Sequence, residues 1–268
     1  MQLLITVDLD YHIPQAADLL LQLEAAAIPE QTLVETHIDL PPAEHFARVA
    51  GHSAVGDRLW LRMEGDLQVR YVARVEVNRL TADIAKLPAV PPHMLPGEAV
   101  EYMLPSRFCP SDEFQPIVED LFGTTSGGAR VAAIRDWIGA NLAYEPGSSD
   151  ASTDAMATFE SKQGVCRDYA HLMVSMVRAS AIPARFAAVY GLGVEPQDFH
   201  AVAEVFLDGT WYIVDPTGMS APEAMAKIGV GRDAADVSFL TSYGQAIMRS
   251  QSVRVEPAPV PVAVSEAN

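Results

Sequence analysis

The hydrophobic pattern of the chain changes from the period of a strand toward that of a helix near residue 111, and this change constrains the fold most. Before it, apolar residues alternate with polar ones over residues 67–77, which is the period of a β-strand. One predicted face of that strand consists of Val69, Tyr71, Ala73, Val75 and Val77. After it, apolar residues recur at the spacing of one helix face, at Val131, Ile134, Ile138 and Leu142. The sequence therefore predicts a β-rich part followed by a part that contains helices.

Residues 1–105 are predicted to form an N-terminal antiparallel domain, sandwich-like or barrel-like. The predicted strands share a pleated pattern bounded by Pro and Gly, and cover residues 3–9, 31–40, 58–62 and 67–77. The last two would be joined by a turn at Glu64-Gly65-Asp66. Four prolines among residues 88–97 cannot donate backbone hydrogen bonds, so residues 87–97 are predicted to be a linker.

Residues 106–250 are predicted to form a second domain in which helices come first and strands follow. A first helix ends before Tyr144, a second covers residues 154–161, and a third covers residues 166–180. The strands cover residues 185–190, 201–207 and 211–214, and Asp208-Gly209 is a strong hairpin signal between the last two. The predicted fold class is α+β. Residues 251–268 are rich in Pro, Val and Ala, and we expect them to form a C-terminal tail.

Composition argues against several classes of partner. The formal charge is −17, from 18 basic and 35 acidic residues, which disfavours nucleic acid and anionic membranes. There is no uninterrupted apolar run of about 18 residues, the length that would suggest a membrane span. The first ten residues lack the basic region of a secretory signal, and two cysteines are too few for a disulfide framework. We expect a soluble cytoplasmic protein.

The chemistry of the chain is predicted to centre on Cys166. This cysteine follows Gly164 at the start of a predicted helix, whose N-terminus favours a negative charge. A cysteine attacks as its thiolate, and an ordinary thiol with a pKa of about 8.5 is mostly protonated at neutral pH. His200 enters a predicted strand and Asp215 ends the next one. The three residues have the types required for a nucleophile, its base and the group that orients the base.

A tetrahedral intermediate needs hydrogen-bond donors for its oxyanion, and the Cys166 N–H is the first candidate. Gly164 would let a substrate carbonyl approach the backbone closely, and Gln163 is a candidate side-chain donor. Asp168 would complement the helix dipole or position the helix. Cys109 has no matching partner block and is predicted to be a packed core residue. His171 is also predicted to be packed in the core, because a zinc site needs three or four ligands and no second pair has suitable spacing.

These blocks resemble the bacterial branch of the transglutaminase-like superfamily, whose core is papain-like. The resemblance rests on residues 164–172, 182–185, 200–205, 215–217 and 231–237, and it covers about residues 125–240. It implies a nucleophile helix packed on an antiparallel sheet, with Cys166, His200 and Asp215 as its catalytic residues. The family commonly has tryptophan two residues after the histidine, where this chain has Val202.

The resemblance implies amide chemistry through a cysteinyl acyl-enzyme. The leading hypothesis is a cysteine-dependent hydrolase of the peptidase, isopeptidase or amidase type, acting on a protein or peptide amide carbonyl. Transfer of a glutamine acyl group to an amine is the enzymatic alternative, and a catalytically silent peptide-binding module is the alternative from another class. The mechanism requires no metal or organic cofactor, and the calcium sites of animal transglutaminases have no recognisable counterpart here.

Overall fold

The structure is a computed structural model that describes residues 1–259. Its helices are α1 (Gly97–Val100), α2 (Gln115–Phe122), α3 (Gly127–Asn141), α4 (Ala155–Ser161) and α5 (Cys166–Ala179). Its strands are β1 (Gln2–Leu21), β2 (Gln31–Asp39), β3 (His45–Ala50), β4 (Asp57–Val77), β5 (Ala143–Tyr144), β6 (Gln163–Gly164), β7 (Ala184–Gly191), β8 (His200–Leu207), β9 (Thr210–Val214), β10 (Met225–Gly231), β11 (Leu240–Tyr243) and β12 (Ile247–Pro257). The predicted α+β class with antiparallel sheets is confirmed. Within residues 1–259, no helix is long and apolar enough to cross a bilayer.

The first sheet has six antiparallel strands built around β1 and β4. β1 pairs with β4, β11 and β12, while β2 and β3 pair with successive parts of β4. The predicted buried face of residues 69–77 is confirmed, since all five of its apolar residues are buried. Alternation along these long strands places one continuous apolar face in the core.

The predicted turn at Glu64-Gly65-Asp66 is wrong, because β4 runs through it as one strand of 21 residues. The reason lies in the partner strand. The register between β1 and β4 shifts between Ile13 and Ala17 of β1, which is a β-bulge. Both strands continue past this bulge, so β4 does not turn back on itself. Gly65 does adopt a positive φ of 92°, but it bends the strand and does not reverse it.

The second sheet has the strand order β10-β7-β8-β9, and α5 packs on it. The predicted face of α3 is confirmed, since its four apolar residues lie in one buried cluster with apolar residues of α5 and of this sheet. Asp208 and Gly209 connect β8 to β9 with φ of 48° and 78°, the two positive values that a tight hairpin needs. β10, which the sequence did not predict, completes the sheet beside β7.

The C-terminal strands return to the first sheet, which corrects two predicted boundaries. β11 and β12 pair with β1, so residues 240–250 belong with the N-terminal sheet and not with the second domain. Residues 251–257 were predicted as part of a tail, but they pair with residues 3–9 of β1. Their inward positions Val253 and Val255 are buried, and this burial holds the strand in place. Residues 260–268 of the predicted tail lie outside the described part of the chain.

A buried ionic network joins the two sheets. Glu204 of β8 is fully buried and accepts a hydrogen bond from Arg185 of β7 at 2.8 Å. Lys227 of β10 contacts both Glu204 and Glu30, and Glu30 precedes β2. Burial opposes the charge of Glu204, but Lys227 and Arg185 outweigh it and lower the pKa of Glu204 to about 2. The charged carboxylate is therefore fixed between the sheets.

We expect Lys227→Met to destabilise the protein strongly, because it removes one cation from a buried carboxylate. Breaking a buried ion pair typically costs about 3–5 kcal/mol of unfolding free energy. Urea unfolding followed by circular dichroism measures the change. The matched control is Lys86→Met, which removes an exposed lysine paired with Asp83. An effect of Lys227→Met no larger than that of Lys86→Met would contradict a structural role of the network.

Candidate active site

Cys166 is the first residue of α5 and is half-buried. The carboxylate of Asp168, two residues further on, accepts the Val165 N–H at 2.9 Å and the Ser149 hydroxyl at 2.6 Å. Asp168 is fully buried, so it positions the start of the helix and is not exposed to a substrate. The first N–H groups of a helix have no acceptor within it, so the Cys166 N–H can donate to an oxygen outside the helix.

Gly164 has a packing role that differs from the one predicted. A Cβ built on Gly164 would lie 2.7 Å from the Cβ of Asp168, a distance that carbon atoms cannot adopt. The glycine is therefore required by the helix start itself. Gln163, the predicted side-chain donor, is exposed and lies in β6, three residues before the first residue of α5.

His200 and Asp215 form a buried pair at the edge of the second sheet. Nε2 of His200 lies 3.0 Å from Oδ2 of Asp215. The other carboxylate oxygen accepts the N–H and the hydroxyl of Thr217 at 2.9 and 2.7 Å. Burial by itself would raise the pKa of Asp215, but its hydrogen bonds and the charge of His200 lower it. Asp215 is thus an oriented, ionised acceptor for the ring.

The other ring nitrogen of His200 is left for Cys166. Within residues 1–259, Nδ1 is buried and has no hydrogen-bond partner of standard geometry. Burial would lower the pKa of His200, but Asp215 and then the Cys166 side chain outweigh it and raise that pKa to about 9. The ring is therefore charged at neutral pH. An imidazolium beside a thiol favours the thiolate, which is the reactive form of cysteine.

Tyr144 is a residue of the site that the sequence did not indicate. β5 pairs in parallel with β6, which sets Tyr144 opposite Gly164 and near Cys166. Burial is the largest cause that raises the pKa of Tyr144 to about 12, and the Cys166 side chain raises it further. The backbone N–H of Cys166 acts in the opposite direction and lowers this pKa, but the phenol is still protonated at neutral pH and lies near both the thiol and the N–H of Cys166. A strand of two residues has too little pattern for sequence reasoning to find.

A cleft of about 460 Å³ opens beside Cys166 and His200. Most of its lining is apolar, and includes Phe186, Ala188, Phe199, Ile228, Val237 and Phe239. The N-terminal part of the chain contributes Gln22, and β11 contributes Thr241. Both sheets therefore form the walls of the cleft.

His171 and Cys109 are core residues, as the sequence predicts. Both are fully buried. Nε2 of His171 accepts the Ala234 N–H at 3.1 Å, and burial is the main cause that lowers the pKa of His171 to about 4. Burial also raises the pKa of Cys109 to about 12, so this thiol is unreactive at neutral pH. Among residues 1–259, no group of three His, Cys, Asp or Glu is placed to hold a metal ion.

Comparison with known proteins shows what this arrangement is similar to. A crystal structure from Cytophaga hutchinsonii described as a "Putative Cysteine Protease" has a TM-score of 0.90 to this chain at 29% sequence identity. The similarity covers 98% of this chain and 92% of that chain. Residues 117–216 match the family model of the transglutaminase-like superfamily. These residues are therefore similar to a transglutaminase-like core. The core contains Cys166, His200 and Asp215, and the predicted resemblance is confirmed.

Two further similarities are more limited. An uncharacterized protein of Mycobacterium leprae is 34% identical over 122 residues, which are 42% of this chain and 43% of that protein. The match thus spans less than half of that relative. The periplasmic domain of TgpA from Pseudomonas aeruginosa gives a TM-score of 0.40 at 20% identity over 80% of this chain and 77% of that chain, which carries no argument about function.

Val202 fills the position where the family commonly has tryptophan. It is fully buried in the transglutaminase-like core, in a cluster with Val189, Ile213, Met225 and others. The smaller side chain is therefore accommodated by close packing of its neighbours, and the pairing of His200 with Asp215 is intact.

We expect His200 to titrate near pH 9 by NMR of labelled imidazole groups, assigned with His200→Ala. The raised pKa means that the charged ring stabilises the fold. The contribution of the charged ring to the free energy of unfolding is fully present below about pH 6.5, the ordinary pKa of histidine. This contribution is lost as the pH rises through about 9. Asp215→Asn should lower the pKa of His200, because it removes the strongest interaction that raises it. His171, with its low pKa, is the internal control; a His200 that titrates at or below about pH 6.5 would contradict the pairing.

Proposed function

We propose that this protein is a cysteine-dependent amide hydrolase with the triad Cys166, His200 and Asp215. The observation that supports it most is the state of the His200 ring. Asp215 binds Nε2, Nδ1 is left for the Cys166 side, and the pKa is raised to about 9. A buried histidine held in its charged form beside a thiol at a helix start fits a thiolate nucleophile.

In the acylation step, the Cys166 thiolate adds to the carbonyl carbon of a peptide or isopeptide amide. A C–S bond forms, and the C=O electron pair moves to oxygen. The tetrahedral intermediate then collapses: the C–N bond breaks, and the amine leaves with the proton that His200 donates from Nδ1. Asp215 holds the ring in the orientation that serves both the attack and the protonation.

The oxyanion formed in this step needs two donors within reach of the thiol. The Cys166 N–H at the start of α5 is the first. We propose the Tyr144 hydroxyl as the second, in place of Gln163, because it lies beside the Cys166 side chain and is held there by the pairing of β5 with β6. Donors fixed before the reaction stabilise the developing charge without reorganisation.

In the second step, His200, now neutral, takes a proton from water, and the hydroxide oxygen attacks the thioester. The carboxylic acid is released and the thiolate–imidazolium pair is restored. A primary amine in place of water would give acyl transfer by the same route, which is the enzymatic alternative. A silent binding module would form no thioester at all.

We expect an acyl-enzyme on Cys166 when the protein is mixed with a peptide amide library and quenched in acid. Intact mass and peptide mapping locate the acyl group, and released acid and amide products are quantified with and without n-butylamine. Cys166→Ala should give neither adduct nor product, whereas Cys109→Ala is the matched control and should retain both. Product that is mainly butylamide would favour transfer over hydrolysis. Turnover by Cys166→Ala equal to the native chain would rule out the triad.

We expect Tyr144→Phe to lower kcat by about 100-fold, the usual effect of removing one oxyanion donor. The ring and its packing on Tyr169, with ring centres 5.9 Å apart, are retained, so folding should be unaffected. Tyr243→Phe is the control, because Tyr243 is largely exposed and does not line the cleft. Equal kcat for Tyr144→Phe and the native chain would remove Tyr144 from the oxyanion site.

A further inference from the structure

The surroundings of the thiol are apolar on the side of the cleft. Cys166 packs against a small cluster formed by Ala170, Phe186, Ala201 and Val237. Phe186 and Ala201 project from neighbouring strands of the second sheet, and Val237 comes from the loop before β11. A group bonded to the Cys166 sulfur can therefore contact hydrocarbon on this side of the cleft.

An aromatic wall continues this apolar surface. The rings of Phe199 and Phe239 are stacked with centres 4.6 Å apart and planes inclined by 7°. The ring of Tyr190 also packs on Phe199, with ring centres 5.7 Å apart. The carbonyl of Phe239 accepts the Gln22 N–H at 3.0 Å, which ties the wall to the N-terminal sheet. Both phenylalanines are half-buried and line the cleft, so their uncovered surface faces it.

The charged groups around the cleft offer little to a polar side chain. Its lining includes Arg107 and Arg167 but no carboxylate. Arg167 is neutralised by Asp168, and Arg107 stacks on Phe108 with its guanidinium 4.8 Å from the ring centre. Asp198 precedes Phe199, but it is exposed, is hydrogen-bonded to Gln251 and does not line the cleft. Lysine side chains of a substrate would therefore find no counter-ion there.

The reaction determines whether the acyl part or the amine part of a substrate contacts this surface. When the C–N bond breaks, the amine leaves and the acyl group stays on the sulfur. The apolar residues that contact Cys166 thus surround the acyl group in the intermediate, and a cleft of about 460 Å³ is large enough for one large side chain with its backbone.

We propose that this cleft is an acyl-side specificity pocket for an aromatic or large aliphatic side chain next to the scissile carbonyl, with the Phe199–Phe239 pair as its wall. The assignment rests on the proposed function, since it requires Cys166 to be the nucleophile. The expected substrates are therefore acyl donors with an apolar side chain at that position, in contrast to donors with glutamine or lysine there. Burying a side chain of this size favours it over glycine by about 10-fold or more.

The test uses acetyl-dipeptidyl chloromethyl ketones that differ only in the side chain next to the ketone: Phe, Leu, Gly, Gln or Lys. The Cys166 thiolate displaces chloride from the methylene carbon, and mass spectrometry follows the adduct on Cys166. The ratio of kinact/KI for each reagent to the rate with iodoacetamide separates recognition from thiol reactivity. We expect the Phe and Leu reagents to exceed the Gly reagent by about 10-fold or more, and the Gln and Lys reagents to be no better than Gly.

Two variants locate the preference. Phe239→Ala should reduce the Phe/Gly ratio about 10-fold without changing the iodoacetamide rate, and Phe46→Ala, which truncates a half-exposed phenylalanine outside the cleft, should leave the ratio unchanged. Ala188→Leu fills the floor of the cleft and should lower the ratio by a similar factor. If Phe239→Ala fails to fold, Ala188→Leu tests the pocket instead, because this substitution removes no side-chain contacts.

The two proposals fail in different ways. Rapid alkylation by iodoacetamide with equal rates for all five ketones, or with Gln or Lys preferred, would overturn the apolar pocket and leave the nucleophile in place. A ratio unchanged in both cleft variants would also overturn it. Slow reaction of Cys166 with iodoacetamide and with every ketone would overturn the proposed function, and this pocket with it.

Discussion

The buried carboxylate of Glu204 is the constraint on which the arrangement of both sheets depends. A charge without water must be paired, and here Arg185 lies directly opposite Glu204 in the register of β7 and β8. Lys227 completes the pairing and extends it to Glu30 beside the first sheet. A slip of one residue would move Glu204 away from Arg185, so the network fixes the register. The same register sets His200, the first residue of β8, opposite Val189 at the end of the strand where Asp215 can reach it.

The N-terminal sheet forms part of the cleft wall in addition to stabilising the fold. The chain leaves it after β4, forms the transglutaminase-like core, and returns to it with β11 and β12. That return carries Phe239 and Thr241 to the cleft, and Gln22 at the end of β1 fixes Phe239 through a backbone hydrogen bond. The cleft therefore exists only where the two sheets meet. Removing the N-terminal sheet would take away a wall of the site and not a separate module.

Local sequence pattern predicted the residues of the core well and their surroundings poorly. Cys166, His200 and Asp215 each stand at the end of an element with a clear period, so their placement could be predicted. The turn at residues 64–66 and the tail at 251–257 were wrong because each depended on a distant partner: a bulge in β1 and pairing with β1. The pairing of β5 with β6, which brings Tyr144 near Cys166, likewise has no local signal in the sequence. The cytoplasmic location and the peptide substrate stay predictions.

The most direct test of the catalytic pairing is the pH dependence of iodoacetamide labelling of Cys166 in the native chain and in His200→Ala, read by mass spectrometry. We expect fast labelling of the native protein well below pH 7, because the charged His200 ring stabilises the thiolate. In His200→Ala we expect the profile of an ordinary thiol, which reacts appreciably only toward about pH 8.5. Slow labelling of both proteins below pH 7, with superimposable profiles, would contradict the pairing of Cys166 with His200.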